Sequence, residues 1–121
     1  MPDPEELLNI NLHEVFSERD ADKRRAAIEQ AYAEDARFID PEGEVVGRQA
    51  IDDSAQRLLD GAPAESALEE DGPRYVGQDT AALAWRFGPP GAPVARGIDI
   101  LTVRDGRVSV IRTLLASDAD M

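Results

Sequence analysis

The chain has 121 residues, of which 42% are hydrophobic and 31% charged, and its 25 Asp and Glu against 13 Lys and Arg give a formal net charge of −12. This length and composition predict one globular domain over residues 1–121 and exclude a disordered or fibrous chain. The negative charge repels nucleic-acid phosphates and anionic lipid headgroups, so neither nucleic acid nor a membrane is an expected partner.

The chain contains no cysteine and a single histidine, His13. A disulfide framework, a thiolate metal site and a thiol nucleophile are therefore excluded, and we expect neither a metal nor another cofactor. The N-terminal MPDPEELL lacks the basic and apolar segments of a secretory signal, and no apolar run reaches the ~18 residues of a membrane helix. We expect a cytoplasmic location by default.

Two helices are predicted before residue 35. Asp-Pro-Glu-Glu at 3–6 combines an N-cap with a proline in the first turn, and the apolar residues that follow have helical spacing up to about Glu18. Asp20 or Asp22 caps the second helix, which should end near Glu34. Its apolar face consists of Ala27, Ile28, Ala31 and Tyr32.

A hairpin and a third helix are predicted next. Residues 38–39 open a short strand, Asp-Pro-Glu-Gly at 40–43 makes a turn, and residues 45–46 form the second strand of the hairpin. From Arg48 onward the apolar positions follow the helical period until Gly61 ends the helix.

After residue 64 the apolar positions follow a period of two, which indicates strands. The predicted antiparallel meander consists of 74–76, 80–87, 94–103 and 107–115, with a weak strand late in 64–71. Helices followed by such a sheet predict an α+β fold. We expect a cone in which three N-terminal helices pack on a strongly curved mixed or antiparallel sheet and enclose a pocket.

Asp40 has a structural and a functional interpretation. Asp-Pro-Glu-Gly fits a type I turn with Asp at the first position, Pro at the second and Gly at the last, which by itself accounts for Asp40. The same turn can hold the carboxylate at the mouth of the pocket.

Asp99 lies in an apolar strand and shares one face with Leu101. If the helices cover this face, Asp99 is a buried carboxylate, which must be paired or protonated. A salt bridge to Arg86 or Arg112 on a neighbouring strand is the structural explanation, and a role in the pocket is the functional one.

The opposite face of that strand is also apolar. It carries Ile98, Ile100 and Thr102, and the adjacent strand adds Val108 and Val110. Helices that cover only one face leave these side chains exposed in a monomer, so we expect a homodimer through this sheet face.

Two segments carry a resemblance to a known superfamily. AYAEDARFIDPEGEVVGRQAI at 31–51 has an aromatic residue, an acidic pair, Asp-Pro and then Gly before a helix. GIDILTVRDGRVSVIRTLL at 97–115 has Gly-x-Asp, an apolar strand, Asp-Gly-Arg and a returning strand. In this order and spacing, the chain resembles the nuclear-transport-factor-2-like fold over nearly its whole length, and within it SnoaL-like proteins and ketosteroid isomerase.

The resemblance implies proton-transfer roles for two carboxylates. In ketosteroid isomerase-like members, the position of Asp40 holds the general base, and the position of Asp99 holds a protonated acid that donates to an oxyanion. The family's tyrosine on the first helix is matched by Phe16, which has no hydroxyl, and loss of such a donor costs about 2.7–4 kcal/mol in other enzymes.

Two other members of the superfamily suggest alternatives. The Asp-Arg-Asp set of limonene epoxide hydrolase-like relatives is not matched, because Gly97 stands at the arginine position and Arg96 points to the other face. SnoaL-type cyclases need only a general acid/base aspartate acting on a polyketide.

The pocket is expected to bind a small apolar molecule. Its expected ligand contacts are Phe16, Tyr32, Trp85 and Leu101, although Trp85 could also simply pack in the core with Leu83 and Phe87. Three functions stay open: a cavity enzyme for isomerisation, cyclisation or hydration, a binding protein without turnover, and an interaction module with a closed cavity.

Overall fold

The computed structural model describes residues 2–117, which form three helical regions and six strands. The helical regions are α1 (Pro4–Asn9) with its π-helical continuation (Ile10–Val15), α2 (Ala21–Ala31) and α3 (Arg48–Asp60). The strands are β1 (Tyr32–Asp40), β2 (Gly43–Val46), β3 (Ala67–Val76), β4 (Thr80–Gly88), β5 (Ala95–Arg104) and β6 (Arg107–Leu115). Within this part of the chain, no helix combines the length and the apolar character that crossing a membrane requires.

The six strands form one mixed sheet in the order β2-β1-β6-β5-β4-β3. Strands β3 to β6 form the predicted antiparallel meander, and the β1–β2 hairpin joins it because β1 pairs in parallel with β6. The three helical regions pack on this sheet, which confirms the predicted α+β fold.

Side-chain caps set the starts of the first two helices. The Asp3 carboxylate accepts a hydrogen bond from the backbone N–H of Glu6 at 2.8 Å. The Asp20 carboxylate accepts from the backbone N–H groups of Asp22 and Lys23 at 3.0 and 3.1 Å. Of the two caps predicted for α2, Asp20 is therefore the one that the structure uses.

The core lies between the helices and one face of the sheet. Alternate residues of β4 point into it, namely Ala81, Leu83, Trp85 and Phe87. The helices contribute Leu7, Leu8, Leu12, Ile28, Ile51 and Leu59, among others. The predicted shared face of Trp85, Leu83 and Phe87 is confirmed.

The first helix changes from α to π geometry at Ile10. The backbone N–H of Phe16 donates to the carbonyl of Asn11, five residues earlier, at 3.1 Å. A π segment turns the following side chains relative to α-helical spacing, and such segments are common at functional sites. Here Asn11 is buried between the apolar residues of the helix.

Tyr32 begins β1, so the prediction that the second helix ends near Glu34 is wrong. Its backbone is extended, with φ −107° and ψ 142°. Tyr32 is paired with Val108 of β6, and its carbonyl accepts from Arg48 Nε at 2.9 Å. Pairing with β6 thus decides the conformation of a segment whose local pattern suits a helix.

Val108 is fully buried, so its predicted place on the outer sheet face is wrong. The β5–β6 pairing matches Thr102 with Val110 but Val103 with Val108, which leaves Ser109 as an extra residue. This β-bulge reverses the alternation and turns Val108 into the core. Ile98 remains on the outer face and is 42% exposed.

Strand β3 forms one open edge of the sheet, and β2, with four residues, forms the other. The weak strand expected late in 64–71 is part of β3. Its register with β4 shifts between Glu70 and Arg74, where Gly72 has a φ of 147° and Pro73 follows. The edge strand is therefore interrupted by an irregularity near its middle.

Candidate functional site

A cavity of about 470 Å³ opens between the first helix, α3 and the helix-covered face of the sheet. Its apolar wall includes Phe16, Phe38, Leu58, Leu68, Trp85 and Phe87. Its polar residues are Asp40, Glu42, Ser54, Arg57, Asp99 and Thr113. The two carboxylates singled out from the sequence, Asp40 and Asp99, therefore line the same cavity.

Phe16 directly follows the π-helical segment and lies on the cavity wall. Its ring centroid is 5.4 Å from that of Phe38, with the rings tilted by 50°. The position that resembles the family's tyrosine thus faces the cavity, but it contributes an aromatic ring without a hydroxyl.

Asp99 is a buried carboxylate, only 6% exposed, that accepts three hydrogen bonds. Its Oδ2 accepts from Asn11 Nδ2 at 2.9 Å. Its Oδ1 accepts from Trp85 Nε1 at 3.0 Å and from Thr113 Oγ1 at 2.8 Å. Burial raises the pKa of Asp99, and the hydrogen bonds from Thr113, Trp85 and Asn11 partly oppose that rise.

The strand register explains how these groups meet. Asp99 is paired directly with Thr113 of β6, and Gly97, two residues earlier on the same face, is paired with Trp85 of β4. A Cβ atom at position 97 would lie 2.7 Å from Trp85 Cζ2. The indole therefore occupies the space that a side chain at Gly97 would fill.

The predicted salt bridge from Asp99 to Arg86 or Arg112 is wrong. Arg86 bonds to Glu69 at 3.0 Å and to Asp71 at 3.3 Å, and Arg112 is exposed. Strand alternation places both arginines on the outer face, opposite to Asp99.

Arg96 also lies on the outer face, where its Nη2 is 2.7 Å from Asp71. The Asp-Arg-Asp arrangement of limonene epoxide hydrolase-like relatives is therefore not formed around Asp99.

Tyr32 belongs to a second layer behind Asp99. Its hydroxyl donates to Asn11 Oδ1, which orients the amide so that its N–H group faces Asp99. Tyr32 is fully buried, and burial, followed by the negative charge of Asp99, raises its pKa well above the usual value. Both Tyr32 and Leu101, which were expected to contact the ligand, are fully buried and lie outside the cavity lining.

Asn11 and Thr113 are site residues that the sequence analysis did not identify. An asparagine between Ile10 and Leu12 in an apolar helix was an available signal, because a buried amide needs a polar partner. Thr113 could be found only from the register of β6 against Asp99.

Asp40 closes the β1–β2 turn, as its structural interpretation predicted. Its Oδ1 accepts from the backbone N–H groups of Glu42 and Gly43 at 2.9 and 3.1 Å. The residue also lines the cavity and is only half-buried. The turn is therefore compatible with a position of Asp40 on the cavity wall.

The site combines a buried, hydrogen-bonded carboxylate with a second carboxylate nearer to solvent. Such a pair can accept a proton at one position of a bound molecule and return a proton at another. Across residues 2–117, no three His, Asp or Glu side chains come together in a group that could hold a metal ion.

Comparison with known proteins identifies the family and the fold. The family model of the SnoaL-like domain matches residues 11–111. No curated protein matches the chain.

Several solved structures share the fold. A proposed isomerase of the SnoaL-like family from Agrobacterium tumefaciens has a TM-score of 0.85 at 24% identity, covering 94% of this chain and 97% of that one. A proposed polyketide cyclase from Sinorhizobium meliloti has a TM-score of 0.71 at 22% identity, covering 93% and 94%. A proposed ketosteroid isomerase from Kribbella flavida has a TM-score of 0.68 at 20% identity, covering 93% and 76%. The predicted resemblance is confirmed.

Proposed function

The chain belongs to the SnoaL-like domain family, and on this basis we propose that it is a small cavity enzyme that moves a proton on an apolar ligand, as an isomerase or a cyclase. The main support is the placement of Asp40 and Asp99 on one largely apolar cavity, with Asp99 buried and held by three donors. The solved relatives proposed as isomerases and as a cyclase agree with this reaction class.

We assign the two carboxylates complementary roles. Asp99 is stabilised as a carboxylate by three donors, while burial strengthens its affinity for a proton, so it can take up a proton from the ligand. Asp40, which is part-exposed near the mouth, delivers a proton to a second ligand atom and regains one from water, and Asp99 gives up its proton to solvent when the product leaves. One proton leaves the ligand and one returns, so the product is an isomer of the substrate.

This assignment differs from the role that ketosteroid isomerase implies for Asp99. A protonated acid that donates to an oxyanion would direct its O–H group toward the ligand. All three side chains around Asp99 donate to it, and these hydrogen bonds stabilise the ionised form that a base requires.

A second function, ligand binding without turnover, is favoured by one observation. Phe16 faces the cavity where the family's tyrosine would present a hydroxyl. One donor for a developing oxyanion is therefore missing, and the cavity could hold an apolar molecule without turning it over. The third alternative, an interaction module with a closed cavity, fits less well with an open cavity of about 470 Å³.

Substitution of the two carboxylates tests the enzyme proposal. We expect Asp99→Asn and Asp40→Asn each to lower kcat about 100-fold or more on a substrate found by screening cyclic ketones and enols. Asp53→Asn is the control, because Asp53 is exposed on α3 and lies outside the cavity lining. Circular dichroism verifies that each variant is folded.

Unchanged turnover in Asp40→Asn would remove Asp40 from the mechanism. Saturable binding of a ligand without any turnover, with affinity retained in Asp40→Asn, would instead identify a binding protein.

A further inference from the structure

We infer that the cavity selects apolar ligands that present a hydrogen-bond donor, such as an alcohol or enol hydroxyl, to Asp99, and discriminates against ligands with a carbonyl at that position. This inference rests on the proposed function, because it requires a small apolar ligand in the cavity.

In the ionised form that the proposed function assigns to it, Asp99 has only an acceptor position left to offer. A carboxylate has about four lone-pair sites on its two oxygens. Oδ1 accepts two hydrogen bonds, from Trp85 and Thr113, and Oδ2 accepts one, from Asn11. One acceptor position of the ionised carboxylate therefore remains on Oδ2, and a ligand fills it by donating a hydrogen.

The two donors to Asp99 that line the cavity, Trp85 and Thr113, have already used their hydrogens. The single N–H of Trp85 and the hydroxyl hydrogen of Thr113 both point at Asp99. The hydroxyl of Tyr32 donates to Asn11, which orients the amide N–H toward Asp99. Asn11 carries a second amide hydrogen but lies outside the cavity lining, so none of these groups offers a hydrogen to a carbonyl oxygen that enters from the cavity.

Phe16 removes the remaining candidate donor. At the position where the family's tyrosine would offer a hydroxyl, the cavity has an aromatic ring. The other donors among the described lining side chains are then Ser54 and Arg57, which lie on α3 and do not bond to Asp99. A carbonyl placed against Asp99 would lose its hydrogen bonds to water and gain none, a penalty that lowers affinity about tenfold or more.

A matched pair of probes tests this inference. Decalol and decalone have the same saturated bicyclic body and differ only by a hydroxyl in place of a carbonyl. We expect decalol to bind about tenfold more tightly than decalone by isothermal titration calorimetry. Fluorescence of Trp85, the one tryptophan of the chain, reports whether each probe occupies the cavity.

Asp99→Asn provides the matched variant, because an amide has nearly the shape of a carboxylate but offers N–H groups. Rotation of the Asn11 amide, with the Tyr32 hydroxyl accepting, would let the new amide donate toward the cavity. We expect the preference for decalol to be lost or reversed in this variant. Asp53→Asn should keep the wild-type preference.

The possible results separate the inference from the proposed function. Equal affinity for the two probes, or tighter binding of decalone, with a change in Trp85 fluorescence would overturn the inference and leave the apolar cavity standing. An undiminished preference for decalol in Asp99→Asn would also overturn it. If neither probe binds saturably, both the inference and the proposed function are overturned. If Asp99→Asn does not fold, the comparison of decalol with decalone on the wild type still tests the inference.

Discussion

Gly97 controls the position of the indole that donates to Asp99. A Cβ atom at this position would lie 2.7 Å from Trp85 Cζ2 and 2.4 Å from the carbonyl oxygen of Leu114. We expect Gly97→Ala to displace the indole, break its hydrogen bond to Asp99 and lower the free energy of unfolding by about 1–3 kcal/mol. Denaturant unfolding and the indole N–H resonance measure the two effects.

A double-mutant cycle controls for general strain at Gly97. In a Trp85→Phe background the indole is absent, so the additional loss caused by Gly97→Ala should be smaller. An indole resonance and a stability that are both unchanged in Gly97→Ala would contradict the proposed role.

Individual site residues were predictable from sequence only where a local rule applied. Strand alternation gives the face of Asp99, and turn chemistry gives the position of Asp40. The sequence marks Asn11 as a polar residue in an apolar helix, but its contact with Asp99 depends on a π-helical segment that has no simple sequence signal, and Thr113 depends on the pairing of two strands. The hydrogen-bond partners of Asp99 are therefore a product of tertiary structure.

At the scale of elements, a charged cluster ties the first helix to the edge strand β3. Glu70 bonds to Arg74 Nε at 2.9 Å and to His13 Nε2 at 3.0 Å. These hydrogen bonds, with that from Arg74 the largest cause, lower the pKa of Glu70 from 4.5 to about 2.

The lowered pKa of Glu70 predicts a pH dependence of stability. Because the folded state favours the ionised carboxylate, its contribution is complete above pH 4.5 and is lost as the pH falls toward about 2. We expect the free energy of unfolding of the wild type to exceed that of Glu70→Gln by about 0.2–1 kcal/mol at neutral pH, because partly exposed ion pairs contribute that much. The difference should vanish in strong acid.

Denaturant unfolding at a series of pH values measures this difference directly. Glu65→Gln, at an exposed position outside the cluster, corrects for the loss of one negative charge. A difference between wild type and Glu70→Gln that stays constant across the acid range would rule out the linkage.

The elements themselves were predictable to different degrees. The β1–β2 turn and α3 have strong local signals, namely Asp-Pro-Glu-Gly and a periodic apolar face that ends at Gly61, and both were predicted correctly. The start of β1 at Tyr32 and the bulge at Ser109 were not predicted, because pairing between β1, β5 and β6 determines both. Long-range strand pairing can override a local pattern, and the local sequence does not indicate where this happens.

At the scale of the whole molecule, the outer sheet face remains the predicted homodimer interface. Ile98 and Leu114 are paired across β5 and β6 and are 42% and 50% exposed. Contact with a second copy would remove this apolar surface from water, which favours association. We expect Ile98→Glu to give folded monomers, measured by light scattering coupled to size-exclusion chromatography.

Val94→Glu is the matched control, because Val94 is also exposed but precedes β5 instead of lying on its outer face. It should leave the dimer intact. A wild-type chain that stays monomeric at all concentrations, or an Ile98→Glu variant that dimerises normally, would contradict the predicted interface.

The irregular edge of the sheet has a consequence for how copies of this chain can associate. Strand β3 exposes its outer side but shifts register between Glu70 and Arg74, and Pro73 has no N–H to offer a new strand. The other edge, β2, is only four residues long. Neither edge is a good template for adding strands in series, so association through the sheet face would end with a closed pair instead of growing into a fibre.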